Sequence, residues 1–364
     1  MEIRSLEDVE KLVTGATIMG AGGGGEPAEG LQLLGEVIRS GKTIRILEVD
    51  RLPSDSIVVS PYFVGSVAPP ASKKKAVPKV KNPIKVAMTQ LEDTLGRKID
   101  AVTATELGGM NTAVALQIGS ELGLPAVDGD LVGRAAPELD QSTAHLLGMP
   151  MSPAALATES GNVLVVKDYG SVDDYEATAR QQAVIAGGNV AVVDTPMTKE
   201  KARKAILPGT VSLCYKIGEA VIEARKRGRD PVQAATKGLR GWRFFEGRVS
   251  RFDWRDEGGF LKAELFLEGS GEFKGHRLKS SIMNEHIMVW RDNKPAVMPP
   301  DPMALVKADG DAVTNGKLRV GMKLTAIAAK APEIWRTSRG LELFGPRHFG
   351  FNYDYKPVER LLGV

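Results

Sequence analysis

At 364 residues the chain is too long for one small domain, and its length favours two. With 43% hydrophobic and 26% charged residues it has a globular make-up, which excludes a disordered or fibrous chain. Forty-eight Lys and Arg against 45 Asp and Glu leave a net charge of +3, too little for a nucleic-acid-binding face. The longest basic run, Lys73-Lys74-Lys75, reads as a solvated loop.

Ser5-Leu6-Glu7-Asp8 is a capping box and predicts a helix start. Ala16-Thr17-Ile18-Met19 reads as a short strand before the glycines. A second helix is predicted from Pro27 to Ser40, with Leu31, Leu34 and Ile38 on one face. Strands follow at Thr43–Val49 and Ser56–Ser60, a helix at Pro83–Leu95, a strand at Ala101–Ala104 and a helix at Gly109–Leu122. Val163–Val166 and Val190–Val193 are buried strands around a helix from Val172 to Ile185. Helices at Val211–Lys226 and Asp230–Leu239 close this alternating part. The style then changes to hairpins: Trp242–Trp254, a Gly258-Gly259 turn, Phe260–Leu267, one strand over Ser280–Trp290, then Met303–Val306 and Leu318–Ala328. The expected architecture is an α/β N-terminal domain with a mostly parallel sheet (residues 1–240). A C-terminal part with a small antiparallel β-barrel or sandwich spans 241–331, and a tail, 332–364, packs across the interface.

The single cysteine, Cys214, excludes an internal disulfide and any multi-cysteine metal site, and with no His beside it reads as a small buried hydrophobe. No signal-type apolar stretch follows Met1, and no run reaches the length of about 18 apolar residues that a membrane span needs. A soluble, cytoplasmic protein is expected.

Gly20-Ala21-Gly22-Gly23-Gly24-Gly25 is the strongest local motif. Such a run lets backbone N–H groups approach an anion, and it feeds the N-terminus of a helix. Formally it fits G-x-G-x-x-G, with Asp50 as a ribose-binding acid, so a dinucleotide site stays open beside anion binding and a structural turn. Glu26, directly after the glycines, argues against a pyrophosphate.

Glu106-Leu107-Gly108-Gly109-Met110-Asn111 follows a strand of the sheet, where α/β folds place ligand groups. Glu106 and Asn111 are therefore candidate site residues, with Asn111 as a helix cap the alternative. Asp128-Gly129-Asp130 leads to Arg134 and Glu138 in apolar surroundings. The two aspartates can converge on a cation, or one can act as base while Arg134 clamps a substrate oxygen. An Asx-turn with a surface ion pair is the alternative. The histidines, His145, His276, His286 and His348, show no paired spacing; His145 lies closest after the acidic cluster. Motifs of serine hydrolases, zincins and P-loops are absent.

In order, these motifs resemble the S-methyl thiohydantoin desulfurase family, formerly a family of unknown function associated with hydantoin-utilisation genes. Further matches are Gly161-Asn162, Asn284-Glu285 and Gly345-Pro346-Arg347-His348-Phe349-Gly350. The resemblance covers nearly the whole chain. It implies an α/β N-terminal domain, with a boundary near residue 168, and a C-terminal β-barrel-like unit. It also implies a small cyclic amide or imide substrate and removal of methanethiol from an S-methylated thiohydantoin.

Such a reaction needs activated water, stabilisation of a tetrahedral intermediate and a proton for the leaving group. The expected catalytic set is Asp128, Asp130, Glu138 and Glu106. The expected substrate-binding set is Gly22, Gly23, Gly24, Gly25, Asn111, Arg134, Asn284 and Glu285. A divalent metal, zinc by preference, is expected on Asp128, Asp130 and His145. A homo-oligomer without nucleic-acid or membrane partners is expected. A nucleotide-binding enzyme and a non-catalytic subunit of a hydantoinase-like complex are the rival readings.

Overall fold

The computed structural model describes residues 1–68 and 79–364. The Lys73-Lys74-Lys75 run lies outside them. The first sheet has nine strands: β1 (Glu2–Ile3), β2 (Ile44–Leu47), β3 (Ile57–Gly65), β4 (Ala101–Ala104), β5 (Ala126–Asp130), β6 (Ala154–Ala157), β7 (Val163–Val166), β8 (Asn189–Thr198) and β9 (Leu207–Pro208). Their order is β1-β2-β5-β4-β3-β8-β6-β7, with β9 against β5. The centre, β2-β5-β4-β3, is parallel. Every residue of β4 is buried, as expected of a strand covered on both faces. The remaining strands add antiparallel at the edges.

The helices of this unit are α1 (Leu6–Met19), α2 (Pro27–Arg39), α3 (Pro83–Leu95), α4 (Asn111–Leu122), α5 (Thr143–Leu146), α6 (Val172–Ala186), α7 (Lys199–Ala205), α8 (Thr210–Lys226) and α9 (Pro231–Gly238). Leu12, Leu34, Val114 and Ile217 bring α1, α2, α4 and α8 into one core. The Ser5–Asp8 capping box is formed in both directions. Ala16–Met19, expected as a strand, instead completes α1. Its residues bury against the core, and Gly15 lets α1 press so close to α8 that a Cβ would sit 1.8 Å from the Cys214 carbonyl oxygen.

The second sheet contains β10 (Trp242–Glu257), β11 (Phe260–Gly269), β12 (Arg277–Met283), β13 (Glu285–Arg291), β14 (Lys294–Val297), β15 (Met303–Val306) and β16 (Lys323–Ala328). The order is β14-β13-β12-β11-β10-β16-β15, all antiparallel, curled into a half-barrel. Gly258-Gly259 makes the expected turn. The single strand expected over Ser280–Trp290 is two strands, because Asn284 adopts φ 56° and reverses the chain between β12 and β13. The tail carries α10 (Ser338–Phe344) and α11 (Val358–Leu362). It touches both units: Trp335 donates to the Val132 carbonyl (2.7 Å), and Val358 packs in the half-barrel core. Among the described residues no helix is long and apolar enough to cross a membrane.

Candidate functional site

A cleft of about 530 Å³ is lined from both sheets. The loop after β4 brings Glu106 to the carboxyl end of the parallel centre, the usual ligand position of such sheets. The reversal at Asn284 brings Glu285 in from the half-barrel. The glycine loop wedges between them. At Gly24 (φ 69°) a side chain would meet the Gly108 Cα at 2.5 Å, and the Gly24 carbonyl accepts the N–H groups of Met110 (3.0 Å) and Asn111 (3.1 Å). At Gly23 a Cβ would lie 1.6 Å from Glu285 Oε1. Glycine is required here to let the carboxyl group lie against the backbone.

Glu106 is buried. Its Oε1 accepts from Asn111 Nδ2 (2.8 Å) and its Oε2 from the Ala136 N–H (2.9 Å). Burial pushes its pKa up to about 7, against the lowering effect of those two donors. Glu285 is 2% exposed, and its Oε2 has no hydrogen-bond partner. Burial, followed by the charge of Glu106, raises its pKa well above the ordinary carboxylate value and favours its neutral form. Neither carboxyl group forms an ion pair among the described residues. Asn111 is no helix cap. Its Oδ1 accepts from the Phe63 N–H (3.2 Å) while its Nδ2 holds Glu106. Asn284 lines the cleft, and its Oδ1 accepts from the Leu261 N–H (2.9 Å). Gly24, Gly25 and Glu138 also line the cleft.

Other expected site residues are placed elsewhere. Asp128 accepts from the backbone N–H (2.8 Å) and hydroxyl (2.5 Å) of Ser212, in the first turn of α8. Asp130 Oδ2 accepts from the N–H groups of Val132 (2.9 Å) and Gly133 (2.6 Å), and Oδ1 from the Thr210 hydroxyl (2.7 Å). These donors compensate the two carboxylates, and neither residue lines the cleft. Burial raises Asp130 to about 6. His145 sits on α5 and its imidazole pKa is lowered by burial and by Arg339. The metal set Asp128, Asp130 and His145 is therefore not assembled. Among the described residues, one group of three potential metal donors gathers, and it is Glu138, Asp140 and His348.

Arg134 is no substrate clamp. It is 1% exposed, stacks on Phe344, and donates to the carbonyls of Ala135, Pro300, Asp301 and His286. Gly22 and Gly23 lie behind the cleft wall, and the Gly23 N–H is already given to the Gly20 carbonyl (2.8 Å). The dinucleotide reading also fails on geometry. The glycines follow helix α1 instead of a strand, and Asp50 pairs with Arg203 away from them.

A polar cluster not anticipated from the sequence forms another wall. Asp194 Oδ2 accepts from the hydroxyls of Tyr62 (2.7 Å) and Tyr175 (2.9 Å), and Oδ1 from Thr195 (2.9 Å). Burial raises Asp194 to about 6. Thr195 holds φ 52°, a strained conformation for a β-branched residue. The sequence signal was an acid directly after the buried Val190–Val193 run.

Models of the S-Me-THD-like N-terminal domain and the S-Me-THD-like C-terminal domain match residues 7–168 and 171–358. The chain belongs to the S-Me-THD-like family. No curated protein matches it significantly. A crystal structure of a protein from Chromobacterium violaceum is similar, with a TM-score of 0.79 and 24% identity, covering 98% of this chain and 100% of that one. That likeness supports the fold. In the family's terms, the cleft draws Glu106 and Asn111 from the N-terminal domain and Asn284 and Glu285 from the C-terminal one.

Proposed function

We propose that the protein is a hydrolase that removes methanethiol from an S-methylated thiohydantoin or a close hydantoin-like ring. The observation that carries this reading is the pairing, in one cleft, of Glu106, raised to about 7, with Glu285, whose carboxyl is pushed upward by burial and by Glu106. Two carboxyl groups with separated titrations divide into a base and an acid.

The reaction consumes water at the ring carbon between the two nitrogens. Glu285 donates a hydrogen bond, or its proton, to a ring nitrogen and makes that carbon electrophilic. Ionised Glu106 takes a proton from water as the oxygen adds to the carbon, forming a tetrahedral intermediate. The carbon–sulfur bond then breaks and the sulfur leaves with a proton from Glu106. The ring nitrogen keeps the proton from Glu285, and the hydroxyl proton of the added water passes to Glu285 as the C=O forms. The balance is substrate plus water to hydantoin plus methanethiol. Asn111 fixes Glu106, and the Gly24–Gly25 segment shapes the floor.

The test is incubation of the full chain with S-methyl thiohydantoins of several amino acids, following free thiol with a thiol reagent and hydantoin by chromatography. Stoichiometric release of both is expected, with loss in Glu106→Gln. No thiol release from any such ring, or full activity in Glu106→Gln, overturns the reading.

A further inference from the structure

The acidic residue Glu138 on the cleft wall has two neighbours that the acid–base scheme does not use. Asp140 comes from the same loop after β5, and His348 from the tail, 210 residues further along the chain. Their donor atoms, one from each residue, all lie within 4.8 Å of one another. That spacing suits three ligands around one cation at metal–ligand distances of about 2.0–2.2 Å.

Two further observations favour a cation over a simple ion pair. The first is the orientation of His348. Its Nε2 lies 2.7 Å from Glu138 Oε2, so one ring nitrogen faces the carboxylates as the ligating nitrogen of a metal-bound imidazole does.

The second is the crowding of negative charge. The carboxylates of Glu138, Glu176 and Asp173 all act on Asp140, and His348 is the group that opposes them. The nearby Arg180 is spent on Glu176, with its other donors on the carbonyls of Gly259 and Pro137. Asp140 Oδ1 is sealed from water and has no hydrogen-bond partner.

We propose that Glu138, Asp140 and His348 form a binding site for a divalent transition cation of the zinc class. One imidazole and two carboxylates are a mixed N/O donor set suited to such a cation, and three protein ligands leave a position for water. Because Glu138 also lines the cleft, the cation sits at the cleft wall and ties the tail to it. The site is independent of the roles given to Glu106 and Glu285.

The full chain, stripped with chelator and dialysed, is titrated with zinc chloride by calorimetry and separately with cobalt chloride by visible absorption. One saturable site per chain and a cobalt spectrum of low coordination number are expected. His348→Gln and Asp140→Asn, each checked for native far-ultraviolet circular dichroism and thermal melt, should bind at least about 100-fold more weakly, because outer partners alone cost 10–100-fold. Asp128→Asn should bind like the wild type. If one variant fails to fold, the other and the wild-type cobalt spectrum still decide. No saturable binding to the wild type, undiminished binding in a folded His348→Gln or Asp140→Asn, or loss of binding in Asp128→Asn overturns the proposal.

Discussion

Replacing Gly23 by alanine tests the proposed role of Glu285 without touching either carboxyl group. Gly23 does not hold a positive φ, so an L residue fits its backbone. The added methyl group, however, would lie 1.6 Å from Glu285 Oε1 and 2.4 Å from its Cδ. Non-bonded atoms need about 3.5 Å, so the carboxyl group must retreat by roughly 2 Å. Misplacing a reacting group by about 1 Å costs on the order of 100-fold, and a proton-transfer group contributes about 100- to 10,000-fold in all. Gly23→Ala should therefore lower kcat/KM by at least about 100-fold, close to 2.7 kcal/mol in the barrier. The assay is thiol release from an S-methyl thiohydantoin under pseudo-first-order conditions. The control is Gly41→Ala, at φ 79° with nothing within 4 Å of the new Cβ. It should lose about 1 kcal/mol of stability and no activity. A folded Gly23→Ala enzyme within threefold of wild-type kcat/KM would refute the argument that Glu285 must lie against the glycine backbone.

Three other outcomes follow from the same geometry. With ionised Glu106 as the proposed base and its pKa at about 7, kcat/KM should rise with pH to a plateau above that value. An acid limb centred near 4.5 would remove Glu106 from the role. Asp194 has a folded pKa of about 6 against an ordinary 3.8. The folded chain thus holds a proton that the unfolded chain has released, and the contribution of Asp194 to stability falls as pH rises from about 4 to 6, by up to about 3 kcal/mol. Denaturant titrations of wild type and Asp194→Asn should show their stability difference shrinking or reversing across that window. A pH-independent difference contradicts it. Asp128→Asn should cost about 0.5–2 kcal/mol by weakening the cap of α8, whose own N-cap, Gly209, has no side chain to offer, and should leave turnover intact. Loss of turnover at unchanged stability would restore Asp128 to the active site.

Much of the frame was legible because it rests on local chemistry. The Ser5 capping box, the apolar β-branched runs and the Gly258-Gly259 turn each act through neighbours in sequence. The breaks came where one residue's backbone state decides the path. A single left-handed Asn284 turns a continuous apolar strand into a hairpin, and no periodicity announces it. Ala16–Met19 looked like a strand because β-branched and helical preferences overlap in four residues. The close α1–α8 crossing through Gly15 settled it as helix.

The site divides along the same line. Glu106 was found because it follows a recognisable strand, where ligand groups gather, whereas Glu285, inside what read as one strand, was found only through the Asn284-Glu285 match to the family. Asp128 and Asp130 follow the same rule yet are taken up by the fold: α8 starts against the end of β5 and brings the Ser212 N–H and hydroxyl to Asp128 and the Thr210 hydroxyl to Asp130, whose other oxygen accepts from the N–H groups of Val132 and Gly133. Arg134 shows the difference most clearly. A guanidinium beside three acids in sequence looks like a clamp, but it is held by the carbonyl of Ala135 in its own loop and by those of residues 286, 300 and 301 from the half-barrel side. Buried with four of its five N–H donors on carbonyls, Arg134 stays out of the cleft, while its charge still acts on Glu106 and Glu285 through the low-dielectric interior. It biases the carboxyl pair without entering the cleft, a role for Arg134 that follows from the docking of the two sheets and not from its neighbours in sequence.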